Sequence, residues 1–204
     1  MRSMRSCLGL MAAVGISAGC NNARRSAEGA LESADSAVAA VTPEASKVVP
    51  EQLGPLTARL STARSAFDER DYEGALTGAR DVQAMAQRIQ DSIPARLASL
   101  RQDLDTLAVY MPKNLDAIKQ RIDQADRSGR PPRGVSAEKY AEVKEIHATA
   151  TREWPAVDST MRAGDVGAAF AKAIQLRNRV SEAMVTLGLA ADDRAWGNLQ
   201  VRPQ

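Results

Sequence analysis

The sequence predicts an all-α protein, an antiparallel bundle of four to five helices built from helical hairpins. Three observations predict it. Alanine supplies 37 of the 204 residues, and alanine is the strongest helix former. Aromatic residues make up 3% of the chain, with none before Phe67, which is poor material for packed sheets. Apolar residues recur at three- and four-residue steps, the spacing that gathers them on one helix face.

The first segment is a leader. Arg2 and Arg5 precede an uncharged run from Cys7 to Gly19 with Leu8, Leu10, Met11, Val14 and Ile16 as its apolar body. That is the make-up of an export signal, and it is shorter than the roughly 20 apolar residues that span a bilayer. The run ends Ser17-Ala18-Gly19-Cys20. Ala18, Gly19 and Cys20 resemble the lipobox of bacterial lipoproteins. Ser17 departs from it, because an aliphatic residue usually stands there and Ile16 lies one place early. The resemblance implies cleavage between Gly19 and Cys20, acylation of Cys20, and a place in the cell envelope facing the periplasm. The Ser17 departure leaves ordinary signal peptidase cleavage open. Asn21 follows the cysteine where an aspartate would favour the inner membrane, so the resemblance favours the outer one. Two or more acyl chains hold a protein on a bilayer stably, at about 0.8 kcal/mol per buried CH₂. Cys7 leaves with the leader, so Cys20 is the one remaining cysteine and no intramolecular disulfide is expected.

Charge agrees with that division. The chain holds 27 Lys+Arg and 25 Asp+Glu, and without Arg2 and Arg5 the bases equal the acids. A neutral mature chain is unsuited to nucleic acid, which needs a basic stripe to neutralise phosphates. The expected organisation is a signal peptide over 1–19, a lipidated N-terminus and partly helical tether over 20–50, a helical bundle over 51–188 and a tail over 189–204.

Each element then follows in order. In the tether, Leu31, Ala34, Val38 and Val41 lie near helical spacing, before Pro43, Pro50 and Pro55 interrupt; a short helix and a flexible spacer both fit. Leu53, Leu56, Leu60, Ala63 and Phe67 form the next seam. Arg70-Asp71 is a turn, and Tyr72, Ala75, Ala79, Val82, Ala86, Ile89 and Ile93 form the helix after it. Pro94 is expected to begin a new helix carrying Leu97, Leu100, Leu104, Leu107 and Met111. Pro112 is expected to kink or split it before Leu115, Ile118, Ile122 and Ala125, since an interior proline deletes a hydrogen bond and clashes with the preceding turn. Residues 128–135 read as a loop. Ser136 is placed to cap a helix through Tyr140, Val143, His147, Ala150, Trp154, Val157 and Met161, with a bend at Pro155. Asp165 is placed to cap the last helix, and Gly188 to terminate it.

An internal repeat runs through the hairpins. Residues 70–76 align with 164–170 at an offset of 94, pairing Asp71 with Asp165, Ala63 with Val157 and Phe67 with Met161. The Asp-Tyr turn before an alanine-rich helix resembles the tetratricopeptide helical hairpin over about 20 residues in each copy. That family repeats in tandem every 34 residues, so the resemblance implies the hairpin and not a solenoid. Residues 26–93 also resemble the alanine-rich hairpin domains of small envelope lipoproteins of unassigned function, which implies a location and a fold but no activity.

The chemistry-bearing residues are few. His147 is the only histidine, and the positions three and four residues away are Val143, Lys144, Ala150 and Thr151, which supply no metal-binding carboxylate. No Gly-x-Ser-x-Gly elbow, phosphate-binding loop or haem motif occurs. Asp103 with Asp105, and Asp192 with Asp193, are the nearest paired acids; the first pair points to different helix faces and the second sits in the tail. No metal, cofactor or enzymatic activity is expected. Trp154 and Trp196 are the candidate partner or ligand contacts. Trp154 lies on a seam; Trp196 either docks on the bundle or anchors a partner. The expected function is a lipid-anchored envelope scaffold or accessory subunit contacting another protein. The alternative is a periplasmic small-ligand carrier or sensor, with an apolar pocket lined by Trp154, Met161, Phe170 and Met184. An enzyme acting on cell-wall glycan is the third and least favoured reading.

Overall fold

The structure, a computed structural model, describes residues 17–189, with residues 17–20 described by their backbone alone. It is all-α: α1 (Ser17–Val48), a 3₁₀ turn (Pro50–Gln52), α2 (Leu53–Asp68), α3 (Tyr72–Ser128), α4 (Ala137–Arg162) and α5 (Val166–Thr186), with no strand among the described residues. No helix among those residues is long and apolar enough to cross a membrane. The chain divides into two compact units at Ser92 and Ile93. The first holds α1, α2 and the start of α3; the second holds the rest of α3 with α4 and α5.

In the first unit, α1 contributes Ala27, Leu31, Ala34, Val41, Ala45 and Val48 to the core. Residues 21–48, in the stretch expected to be a partly helical tether, form a helix that packs within the first unit. The signal was present in Leu31, Ala34 and Val41, and its weakness came from alanine, which marks a packing face less visibly than leucine does. Gln83 Nε2 donates to the Ala30 carbonyl at 3.1 Å, and Arg64 pairs with Asp35 at 2.6 Å, tying α3 and α2 to α1. The α2 seam buries Leu56, Leu60 and Ala63, and α3 answers with Ala75, Ala79, Val82, Ala86 and Ile89.

In the second unit, α3 buries Leu100, Leu104, Leu107, Met111, Ile118 and Ile122. Helix α4 adds Tyr140, Val143, Ala150 and Val157, and α5 adds Ala169, Ala173, Leu176, Val180 and Ala183. Ser136 caps α4, accepting from the Lys139 N–H at 3.2 Å.

The prolines do not break the helices. Pro94 and Pro112 lie inside α3, Pro155 inside α4 and Pro43 inside α1. The expected helix start at Pro94 and split at Pro112 are thus replaced by one 57-residue helix. The reason is positional. All four prolines are exposed, and the carbonyls they leave without a helical donor belong to Ala39, Gln90, Ala108 and Thr151, which are exposed too. The loss therefore falls on the solvent face, where water competes for such carbonyls, while the buried seam continues beneath.

The two hairpin turns are geometric copies. After α2, the Arg70 N–H donates to the Phe67 carbonyl at 3.0 Å and the Asp71 N–H to Ala66 at 2.8 Å. After α4, the Gly164 N–H donates to Met161 at 3.0 Å and the Asp165 N–H to Thr160 at 3.2 Å. Both are Schellman motifs with a left-handed residue, Arg70 at φ 67° and Gly164 at φ 89°. Asp71 and Asp165 then accept from the N–H groups of Gly74 and Ala168 at 2.9 and 3.0 Å, capping α3 and α5. The second copy holds the better residue at the left-handed position, because an L side chain there crowds its own backbone. Arg70→Gly is expected to raise stability by up to about 1 kcal/mol, visible as a higher urea midpoint with an unchanged slope.

Candidate functional site

The candidate site is a cleft of about 480 Å³ on the first hairpin, lined by Arg59, Thr62, Ala63, Ala66, Asp71, Glu73, Gly74, Thr77 and Gly78. Its floor is made of small residues. Ala63 and Gly78 are buried where α2 and α3 meet, and a Cβ built on Gly78 would stand 2.9 Å from the Ala63 Cβ. The backbones can approach that closely only because one of the pair has no side chain. Thr62 and Thr77 are exposed on the rim. Arg59 pairs with Asp81 across the two helices. Asp71 is committed to capping, and Glu73 is exposed in the first turn of α3.

The repeat gives this cleft its meaning. At the offset of 94, Gly78 corresponds to Lys172 and Arg59 to Glu153. Lys172 and Glu153 pair at 3.3 Å, so on the second hairpin a salt bridge occupies the positions that form the cleft on the first.

The residues singled out from the sequence are dispersed. Trp154 and Met161 are half-buried on α4, while on α5 Phe170 is half-buried and Met184 buried; none of the four lines the cleft. His147 is half-buried. Gly19 and Cys20 fall in the first turn of α1. Residues 1–16 and 190–204, which include Trp196 and the Asp192-Asp193 pair, lie outside the described residues. Asp103 is half-buried and Asp105 exposed, so the two do face apart. Burial pushes the Asp103 carboxyl above its ordinary value, against the pull of the Arg96 charge. Among the described residues no group of three His, Cys, Asp or Glu side chains is arranged to hold a metal ion.

Sequence reasoning missed the cleft, though a signal existed. Gly78 stands inside α3, where a glycine costs about 1 kcal/mol relative to alanine. That cost on a packed stripe points to a close approach.

A second polar cluster joins α3 to α4. The Tyr140 hydroxyl reaches the Ile122 carbonyl at 3.0 Å and Asp126 Oδ1 at 2.9 Å. Lys144 Nζ bonds both Asp126 oxygens at 2.8 Å and lies 5.1 Å from the centroid of the Tyr140 ring. The bonds from Lys144, and then from Tyr140, hold the Asp126 carboxyl below its usual value. Burial, and then the bond to Asp126, push Tyr140 up to about 12. The signs oppose. Tyr140 is held neutral by the fold, so its contribution is complete below the ordinary tyrosine value near 10 and is lost as pH rises toward 12. Asp126 is held charged, so its contribution is complete above the ordinary carboxylate value and is lost as pH falls through its lowered one. An absorbance titration at alkaline pH is expected to show one tyrosine ionising near 12, and Tyr140→Phe is expected to remove that step. The geometry makes this cluster a clasp between helices, in which every polar group faces a partner in the same chain. No protein-family model, curated protein or solved structure matches this chain.

Proposed function

We propose that the chain is a lipid-anchored protein of the bacterial cell envelope, held through Cys20 and serving as a non-enzymatic scaffold or accessory subunit. The observation that carries the protein-contact part is the cleft of the first hairpin, floored where Gly78 lets α3 approach Ala63 of α2. A floor of Ala63, Ala66, Gly74 and Gly78 lets another backbone come close, and the hydroxyls of Thr62 and Thr77 with the carboxylate of Glu73 offer polar contacts at the rim. That combination suits a partner helix better than a small apolar ligand, which is bound by largely hydrophobic walls. The anchor rests on the leader and on Ala18-Gly19-Cys20.

Two measurements test the reading. The first is the intact mass of the protein recovered from bacterial membranes, expected to correspond to a chain beginning at Cys20 and carrying diacylglycerol. A soluble product cut near Ala18, or an unprocessed chain, would overturn the anchor. The second is site-specific photo-cross-linking from Thr62, at the rim. A discrete protein adduct is expected, and Thr77→Arg, which blocks the cleft from an exposed position, is expected to abolish it. An adduct indifferent to Thr77→Arg would overturn the cleft as the contact surface.

A further inference from the structure

We propose that the C-terminal turn of α3 and the α3–α4 loop form a docking surface for anionic phospholipid headgroups, with Arg127 in the turn and Arg130 and Arg133 in the loop as its contacts. The three arginines recur at three-residue steps and all are exposed. Arg127 stands in the last turn of α3, and the loop that carries Arg130 and Arg133 is held by its own bonds. Ser128 Oγ lies 2.7 Å from the Ala125 carbonyl and 3.2 Å from that of Arg130. The Gly129 and Val135 N–H groups donate to Asp126 and Pro132, each at 3.1 Å. Gly129 and Gly134 take the left-handed conformations at φ 69° and 80° that the two bends require, and Pro131-Pro132 stiffens the middle. The guanidiniums are thus presented from a set backbone, which limits the ordering cost of binding.

The neighbouring carboxylates are engaged elsewhere. Asp126 is taken by Lys144 and Tyr140, Asp123 by Lys119 at 2.6 Å and Glu142 by Lys139 at 3.2 Å. Glu138 accepts from its own backbone N–H and from Ser136. Among the described residues, no ion pair includes Arg127, Arg130 or Arg133. On a chain whose acids and bases nearly balance, the three arginines outweigh the charged Glu138 carboxylate and leave a local positive surplus. Guanidinium is a planar fork that pairs with phosphate oxygens in two parallel bonds. A bilayer offers many phosphates in one plane, so three arginines spread over the helix end and the loop can each find one. The choice of a lipid surface over a soluble anion rests on the proposed anchor, which would keep the chain within reach of headgroups.

The test uses the full chain with Cys20→Ser, so that no acyl chain contributes to binding. It is sedimented with vesicles of phosphatidylcholine alone and of phosphatidylcholine with an equal part of phosphatidylglycerol. Binding is expected on the anionic vesicles and to fall with rising salt. Arg127→Gln, Arg130→Gln and Arg133→Gln together are expected to weaken it on the order of 100-fold, about fivefold per arginine. The three Lys variants keep the charge and are expected to retain most of it. Both chains share one N-terminus, so any partition due to the leader cancels in the comparison, and circular dichroism checks that helix content is equal. Equal binding by the wild-type and Gln chains overturns the proposal. So does arginine-dependent binding to heparin without binding to the vesicles, which would assign the loop to a soluble polyanion. Acylation plays no part in this measurement. Failure here leaves the anchor standing, and an unmodified Cys20 in cells removes the ground for preferring a lipid surface without changing what the vesicles measure.

Discussion

Gly78→Leu is expected to destabilise the first unit by roughly 2–3 kcal/mol, the range for forcing extra volume into a packed contact. The contact is with Ala63, whose Cβ would lie 2.9 Å from the first atom added and whose Cα would lie 3.3 Å away. Neither atom belongs to a long side chain that can swing aside, so α2 and α3 must separate. Gly78→Ala is the sharper test, because two effects oppose each other. Helix propensity alone favours alanine by about 1 kcal/mol. The clash pushes apart the seam that buries Leu60, Ala63, Ala75, Ala79 and Val82. The clash is expected to win, giving a lower urea midpoint for Gly78→Ala and a much lower one for Gly78→Leu. A stabilised Gly78→Ala would mean that the helices are not held at that distance, and the floor of the cleft would have no structural basis.

Much of the fold was legible because burial follows period. The steps from Ala75 to Ile93 and from Leu100 to Ala125 name the residues that are buried, and Ser136, Asp165 and Gly188 sit where the caps and the last Schellman turn lie. The prolines misled because their cost was judged without asking which face they occupy. Ile93, Leu97, Leu100 and Leu104 keep their step across Pro94, so the seam itself said that the helix continues. Helix α1 was faint because Ala27, Ala34 and Ala45 carry much of its packing. The 94-residue offset was legible as a repeat of turns. The cleft was not, since it depends on the distance between α2 and α3 at Ala63 and Gly78.

In the second unit the largest effect is expected at Ile118, which is fully buried on α3. Ile118→Ala removes three carbons from a closed site and is expected to cost about 2–5 kcal/mol, through lost burial and the cavity left behind. Four residues earlier on the same face stands Asn114, 7% exposed, with an amide nitrogen that meets no acceptor. A buried donor without a partner costs about 1–3 kcal/mol. Leucine has nearly the shape of asparagine and no such donor, so Asn114→Leu is expected to recover about 1–2 kcal/mol of that cost. The pair is therefore predicted to move in opposite directions from one helix face, read as urea midpoints under the same conditions. Residues 114 and 118 lie one turn apart, so the double variant need not be additive. A gain at 114 that disappears when 118 is alanine would show that the new leucine draws its stability from packing on Ile118. A gain that persists would assign it to removal of the unpaired amide. Loss of stability in Asn114→Leu alone would mean that the nitrogen has a partner in solution, which for a side chain this buried would be an ordered water.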